Sequence, residues 1–159
     1  MNYLDIQTLI ALDGQPNTKQ MQLWVDAALV GYAKDAEIVI RIVDEIESAQ
    51  LNQEYRHKSG ATNILSFPFE LPPGMNSLDV GGLQEVLGDL VICSPILVKE
   101  AQEQGKSLQD HWAHIIIHGV LHLLGYDHVE DNEAEVMEAM EIAILKTLNI
   151  GNPYNEASL

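Results

Sequence analysis

The sequence predicts an α+β (α/β-like) fold. One domain spans residues 1–159, with a small mixed β-sheet, helices beside it, a long helix late in the chain packed on the sheet, and a tail over residues 152–159. Three observations predict it. A chain of 159 residues can bury a core of its own without staples. Stretches rich in β-branched residues are interspersed with stretches of helical apolar period, in the order β-α-β-α-β-β-α-α-α. No repeat, low-complexity tract or apolar run of the ~18–20 residues that cross a bilayer interrupts that order.

Tyr3 to Ala11 carries Ile6, Leu9 and Ile10 in loose alternation and reads as the first strand, followed by the turn Asp13-Gly14-Gln15-Pro16. Asn17 or Thr18 caps a helix to about Tyr32, with Met21, Trp24, Val25, Ala28 and Leu29 on its buried stripe. Glu37 to Asp44 is a nearly continuous β-branched strand. Glu45 to Gln53 reads as a short helix, leading into the most basic local segment, which holds Arg56 and Lys58. Thr62 to Phe69 is a strand closing on a proline, and Leu71 to Gly82, with Pro72-Pro73-Gly74 and Gly81-Gly82, is a loop. Gly88 to Ser94 is a strand, and Pro95 opens a helix to about Gln104. Ser107, with Asp110 three residues on, resembles a capping box for the long helix that ends near Leu124. The last helix runs from Asp131 to Leu148 with Met137, Met140, Ile144 and Leu148 as its core stripe.

Composition bounds the chemistry. Eight Lys and Arg stand against 24 Asp and Glu, a formal charge of −16. Nucleic acid is held nonspecifically by cations that neutralise phosphates, so a protein of this charge cannot coat RNA or DNA by bulk attraction. It needs a local cationic pocket, a metal's charge or delivery by a partner. Asp127, Glu130, Asp131, Glu133, Glu135, Glu138 and Glu141 read as a solvated acidic face. Cys93 is alone, which excludes an internal disulfide or a Cys-rich metal site and points to a reducing cytoplasm. The first residues have no signal-peptide character, and no membrane partner is expected.

The chemistry centres on His118-Gly119-Val120-Leu121-His122-Leu123-Leu124-Gly125-Tyr126-Asp127-His128. Residues four apart on a helix share a face, so His118 and His122 point the same way. Gly125 can adopt φ > 0 and turn the chain, bringing His128 back as a third ligand. Three imidazoles suit one zinc-type ion and leave a coordination position open, as catalytic sites do; nickel, cobalt or copper fit too. Zinc proteases of the H-E-x-x-H type share the spacing but carry a general-base Glu where this chain has Gly119. Peptide hydrolysis is therefore the second reading. His111, His114, His118 and His122 form a longer stripe. His111 is expected at the surface, and His114 either serves the metal site or substrate, as a proton shuttle, or is an ordinary structural residue. Arg56 is either a surface ion-pair partner or a catalytic group. Asp127 either accepts from a ligand's free N–H or caps the turn.

These residues resemble the YbeY family of bacterial endoribonucleases. Leu51-Asn52-Gln53-Glu54-Tyr55-Arg56, Thr62-Asn63-Ile64-Leu65-Ser66-Phe67, Gly88-Asp89-Leu90-Val91-Ile92 and Glu130-Asp131-Asn132-Glu133-Ala134-Glu135-Val136-Met137 extend the likeness over most of residues 35–150. The resemblance implies a single-strand-specific, metal-dependent endoribonuclease. It implies processing of the 3′ end of small-subunit (16S) ribosomal RNA precursor and ribosome quality control. It further implies zinc on His118, His122 and His128 and a functional role for Arg56, while the charge of −16 makes the ribosome or a ribosomal protein the expected recruiter. The remaining alternative is a noncatalytic ribosome-assembly factor with a structural metal.

Overall fold

Alternation of side chains along a strand sorts the central residues onto two faces. The computed structural model describes residues 2–32, 35–69, 85–127 and 130–154. Strands β1 (Tyr3–Thr8), β2 (Ala36–Val43), β3 (Ile64–Pro68) and β4 (Glu85–Cys93) form a mixed sheet in the order β1-β2-β4-β3. β1 and β4 flank β2 in parallel, and β3 runs antiparallel to β4. On β2, Ile38, Ile40 and Ile42 are almost fully buried and face the main core, while Val43 joins Leu65, Val91 and Cys93 on the other side. A bulge lies where β2 and β4 shift register, between Glu37 and Ile38. Gly88, opposite Ile38, has φ +142°, and a Cβ there would lie 2.2 Å from the carbonyl oxygen of Phe67.

Among the described residues, five helices accompany the sheet in this α+β fold: α1 (Thr18–Ala28), α2 (Glu45–Arg56), α3 (Ser94–Gln104), α4 (Leu108–Leu123) and α5 (Asp131–Thr147). Asn17 is the α1 cap, exchanging hydrogen bonds with Gln20 in a full capping box. Ser107 Oγ accepts from Asp110 N at the start of α4. α1, α3, α4 and α5 supply the main core, and Leu51 of α2 covers the smaller cluster on the opposite sheet face. α4 touches α1, α3, α5, β3 and β4, which is why it is buried nearly all round. Gly119 sets its closest approach: a Cβ there would meet Ile64 Cδ1 at 2.6 Å and Leu90 Cδ2 at 2.9 Å.

Several boundaries differ from expectation. α1 stops at Ala28, short of Tyr32. α2 continues past Gln53 to Arg56 because His57, at φ 56°, forms a left-handed cap. β4 starts before Gly88, and Ser94 belongs to α3. On α5 the buried stripe is Met137, Glu141 and Leu145, with Met140, Ile144 and Leu148 only partly buried beside it. The expected loop Leu71–Gly82 lies outside the described residues. Among the described residues no helix is long and apolar enough to cross a membrane.

Candidate functional site

The last two turns of α4 place His118 and His122 one above the other, with their Nε2 atoms 3.0 Å apart. Gly125 follows with φ +103°, so the helix ends in the left-handed turn its sequence predicts. From α5, Glu141 Oε1 reaches His118 Nδ1 at 2.5 Å. A carboxylate at Nδ1 holds that nitrogen as the N–H donor and leaves the Nε2 lone pair facing His122. Two imidazole nitrogens at this separation fit ligands of one zinc-type ion, whose ~2.0–2.1 Å bonds put tetrahedral neighbours about 3.3 Å apart. His128, the expected third ligand, lies outside the described residues, and among those described no three such donors gather.

Glu141 is 0% exposed. A buried carboxylate is costly unless several donors satisfy it. Besides His118, the Tyr154 hydroxyl donates to its Oε2, and His114 Nε2 lies 3.6 Å from Oε1. The Tyr154 oxygen is in turn 3.2 Å from His114 Nε2, from which it can accept. Burial pushes the Glu141 carboxyl up, but hydrogen bonds from His114, His118 and Tyr154 outweigh it and hold it down at about 2. Burial first, then Glu141 itself, pushes the Tyr154 hydroxyl far above its ordinary value, so it stays a donor.

His118 and His122 open onto a cleft of about 950 Å³ that also takes in Tyr55, Arg56, Asn63, Ser66, Phe67, Tyr126 and Asp127. The cleft runs along β3, the end strand of the described sheet. α4 brings the histidines from one face, and the extra turn of α2 brings Arg56 from the other. The structure thus gathers Arg56, His118 and His122 in one space. His114, 9% exposed, sits behind His118 and does not line the cleft.

Two expectations need correction. His111 is not a surface residue: it is 2% exposed, and its Nε2 lies 2.9 Å from Glu100 Oε1 on α3. The packing of α3 on α4 covers that side of the helix, and Glu100 supplies the partner a buried imidazole needs. Glu141 is not part of the solvated acidic face, although Glu130, Asp131, Glu133 and Glu135 are. Its signal was positional, since it lies four residues after Met137 and four before Leu145, on the stripe that must face inward. Tyr154, in a tail with no expected role, left no such signal.

A family model described as endoribonuclease YbeY matches residues 5–149. The solution structure of a Thermotoga maritima protein superposes with a TM-score of 0.55 at 23% identity, covering 91% of each chain, and so shares the fold. With the match running from β1 through α5 and across every element that lines the cleft, the chain belongs to the YbeY endoribonuclease family, enzymes that cleave RNA.

Proposed function

We propose that this protein is a single-strand-specific, zinc-dependent endoribonuclease that matures the 3′ end of 16S ribosomal RNA precursor and serves ribosome quality control in the cytoplasm. The observation that carries the reading is the meeting of Arg56 with His118 and His122 in one cleft. His118, His122 and His128 would hold the ion, which when bound supplies positive charge at a phosphate oxygen and acidifies a water. Arg56 binds the scissile phosphate bidentately, stays charged through the reaction, and stabilises the charge that builds on the phosphorus oxygens. Glu141 keeps His118 in the tautomer that presents Nε2, and His114 acts behind it, through Tyr154, as a positioning residue. The place beside His118 that a peptidase would fill with a general-base Glu is packed against Ile64 and Leu90 and has no room for a carboxylate. The charge of −16 favours delivery of the RNA by the ribosome or a ribosomal protein.

The test is cleavage of a labelled single-stranded RNA and a matched duplex by zinc-loaded and metal-stripped protein, beside His118→Ala and Arg56→Ala. Metal-dependent cutting of the single strand, lost in both variants, is expected, with Arg56→Ala keeping its metal and His118→Ala losing tight binding. Equal cutting by the variants would expose a contaminant. Folding that depends on metal, without cleavage, would move the protein to a structural role in ribosome assembly.

A further inference from the structure

A phosphate clamp cannot tell single strands from duplexes, because both carry the same phosphates. Something else in the cleft must read the absence of pairing. Among the described residues that line it, Arg56 is the only Lys or Arg, while Asp127 and Glu138 add negative charge to the walls. The side chains of the cleft alone therefore attract the backbone weakly, and contacts to the bases would add to the grip of Arg56 and the ion.

The cleft offers a surface for them. Tyr55 precedes Arg56 on the last turn of α2 and is 62% exposed. Its ring is 5.1 Å from that of Phe67 on β3, at an interplanar angle of 71°. An edge-to-face contact of this kind occupies at most one face of a ring and fixes the orientation of both. Tyr55 is thus braced and still largely open to the cleft. Successive side chains on a helix diverge, but Tyr55 and Arg56 both line this cleft, so the ring and the guanidinium can serve neighbouring parts of one strand. A base in a duplex is stacked on its neighbours and has no free face, whereas an unpaired base can swing onto an aromatic ring.

We propose that Tyr55, braced by Phe67, is the stacking platform for an unpaired RNA base beside the phosphate held by Arg56, and that this platform is what makes the cleft selective for single strands. The inference rests on the endoribonuclease reading and adds the residue that discriminates the substrate.

The experiment mixes full-length protein with single-stranded RNA carrying the fluorescent base 2-aminopurine at successive positions. Binding is read before product appears on a parallel gel. Quenching is expected at one register, kept in Tyr55→Phe and lost in Tyr55→Ala, whose affinity falls roughly 5- to 150-fold. An abasic nucleotide at that register weakens the wild type similarly and weakens Tyr55→Ala no further. Tyr55→Ala also narrows the preference for single strand over duplex. The salt dependence stays shallow, with a log–log slope of about −0.7 per phosphate contacted and only one or two phosphates involved. Single-strand cleavage with binding and quenching indifferent to Tyr55→Ala, or losses that simply add, overturns the platform and leaves the nuclease standing. Wild-type protein that neither binds nor cuts any RNA overturns both.

Discussion

Glu141 on α5 and His118 on α4 meet at 2.5 Å, a fully buried carboxylate against the ring nitrogen other than the one that faces His122. The pair ties the last helix to the histidine face. Glu141→Gln keeps the shape but weakens the acceptor, and zinc affinity should fall roughly 10- to 100-fold. Competition against a chromogenic chelator measures it. An affinity equal to wild type would remove Glu141 from the support of the site.

Tyr154 is the hinge of the same network, donating to Glu141 and lying within reach of His114. Tyr154→Phe removes one hydroxyl and leaves both partners underserved. A loss of about 1–3 kcal/mol is expected in urea unfolding of metal-stripped protein. An unchanged midpoint would mean the hydroxyl contributes nothing net.

Gly119 tests the approach of α4 to the sheet. Gly119→Ala gains about 1 kcal/mol of helix propensity, yet its Cβ must displace Ile64 and Leu90, so little net change or a small loss is expected. Gly119→Glu also buries a charge with no partner and should cost at least about 3 kcal/mol, seen as a large drop in thermal midpoint. A stable Gly119→Glu protein would contradict the packing described and reopen the peptidase reading.

Glu100 and His111 make stability sensitive to acid. Burial pushes the Glu100 carboxyl up, but the hydrogen bond and charge of His111, with the Asn63 amide, hold it below its ordinary value. A folded pKa below the unfolded one means the unfolded chain binds more protons as the pH falls. The stabilisation is therefore full above the ordinary carboxyl value of about 4.3 and fades as the pH falls through the lower folded value. Glu100→Gln should cost stability at pH 6, and the gap to wild type should close toward pH 3. A gap independent of pH would show that the charge is not what matters.

Features fixed by neighbours in the chain were legible in advance. The β-branched run of β2, the Ser107 cap, the helical pairing of His118 with His122 and the positive φ of Gly125 all follow from local periodicity and turn chemistry. Features that depend on distant partners were not. His111 looks polar until Glu100 of another helix is placed against it. Glu141 resembles its exposed acidic neighbours until α5 is rotated so that Met137 and Leu145 face the core. Arg56 was readable as a residue but not as a helical one, because the cap that lengthens α2 is a non-glycine residue, His57, in the left-handed region.

The cleft along β3 draws on α2, α4, α5 and Tyr154, segments separated by up to about a hundred positions of chain. Bringing such remote segments together carries a loop-closure entropy cost that contacts within one helix do not. A half-made or locally unravelled copy lacks the meeting of Arg56 with the histidines. Cutting power thus arrives only with the complete tertiary structure, which spares the cell an RNA-degrading fragment during synthesis and turnover.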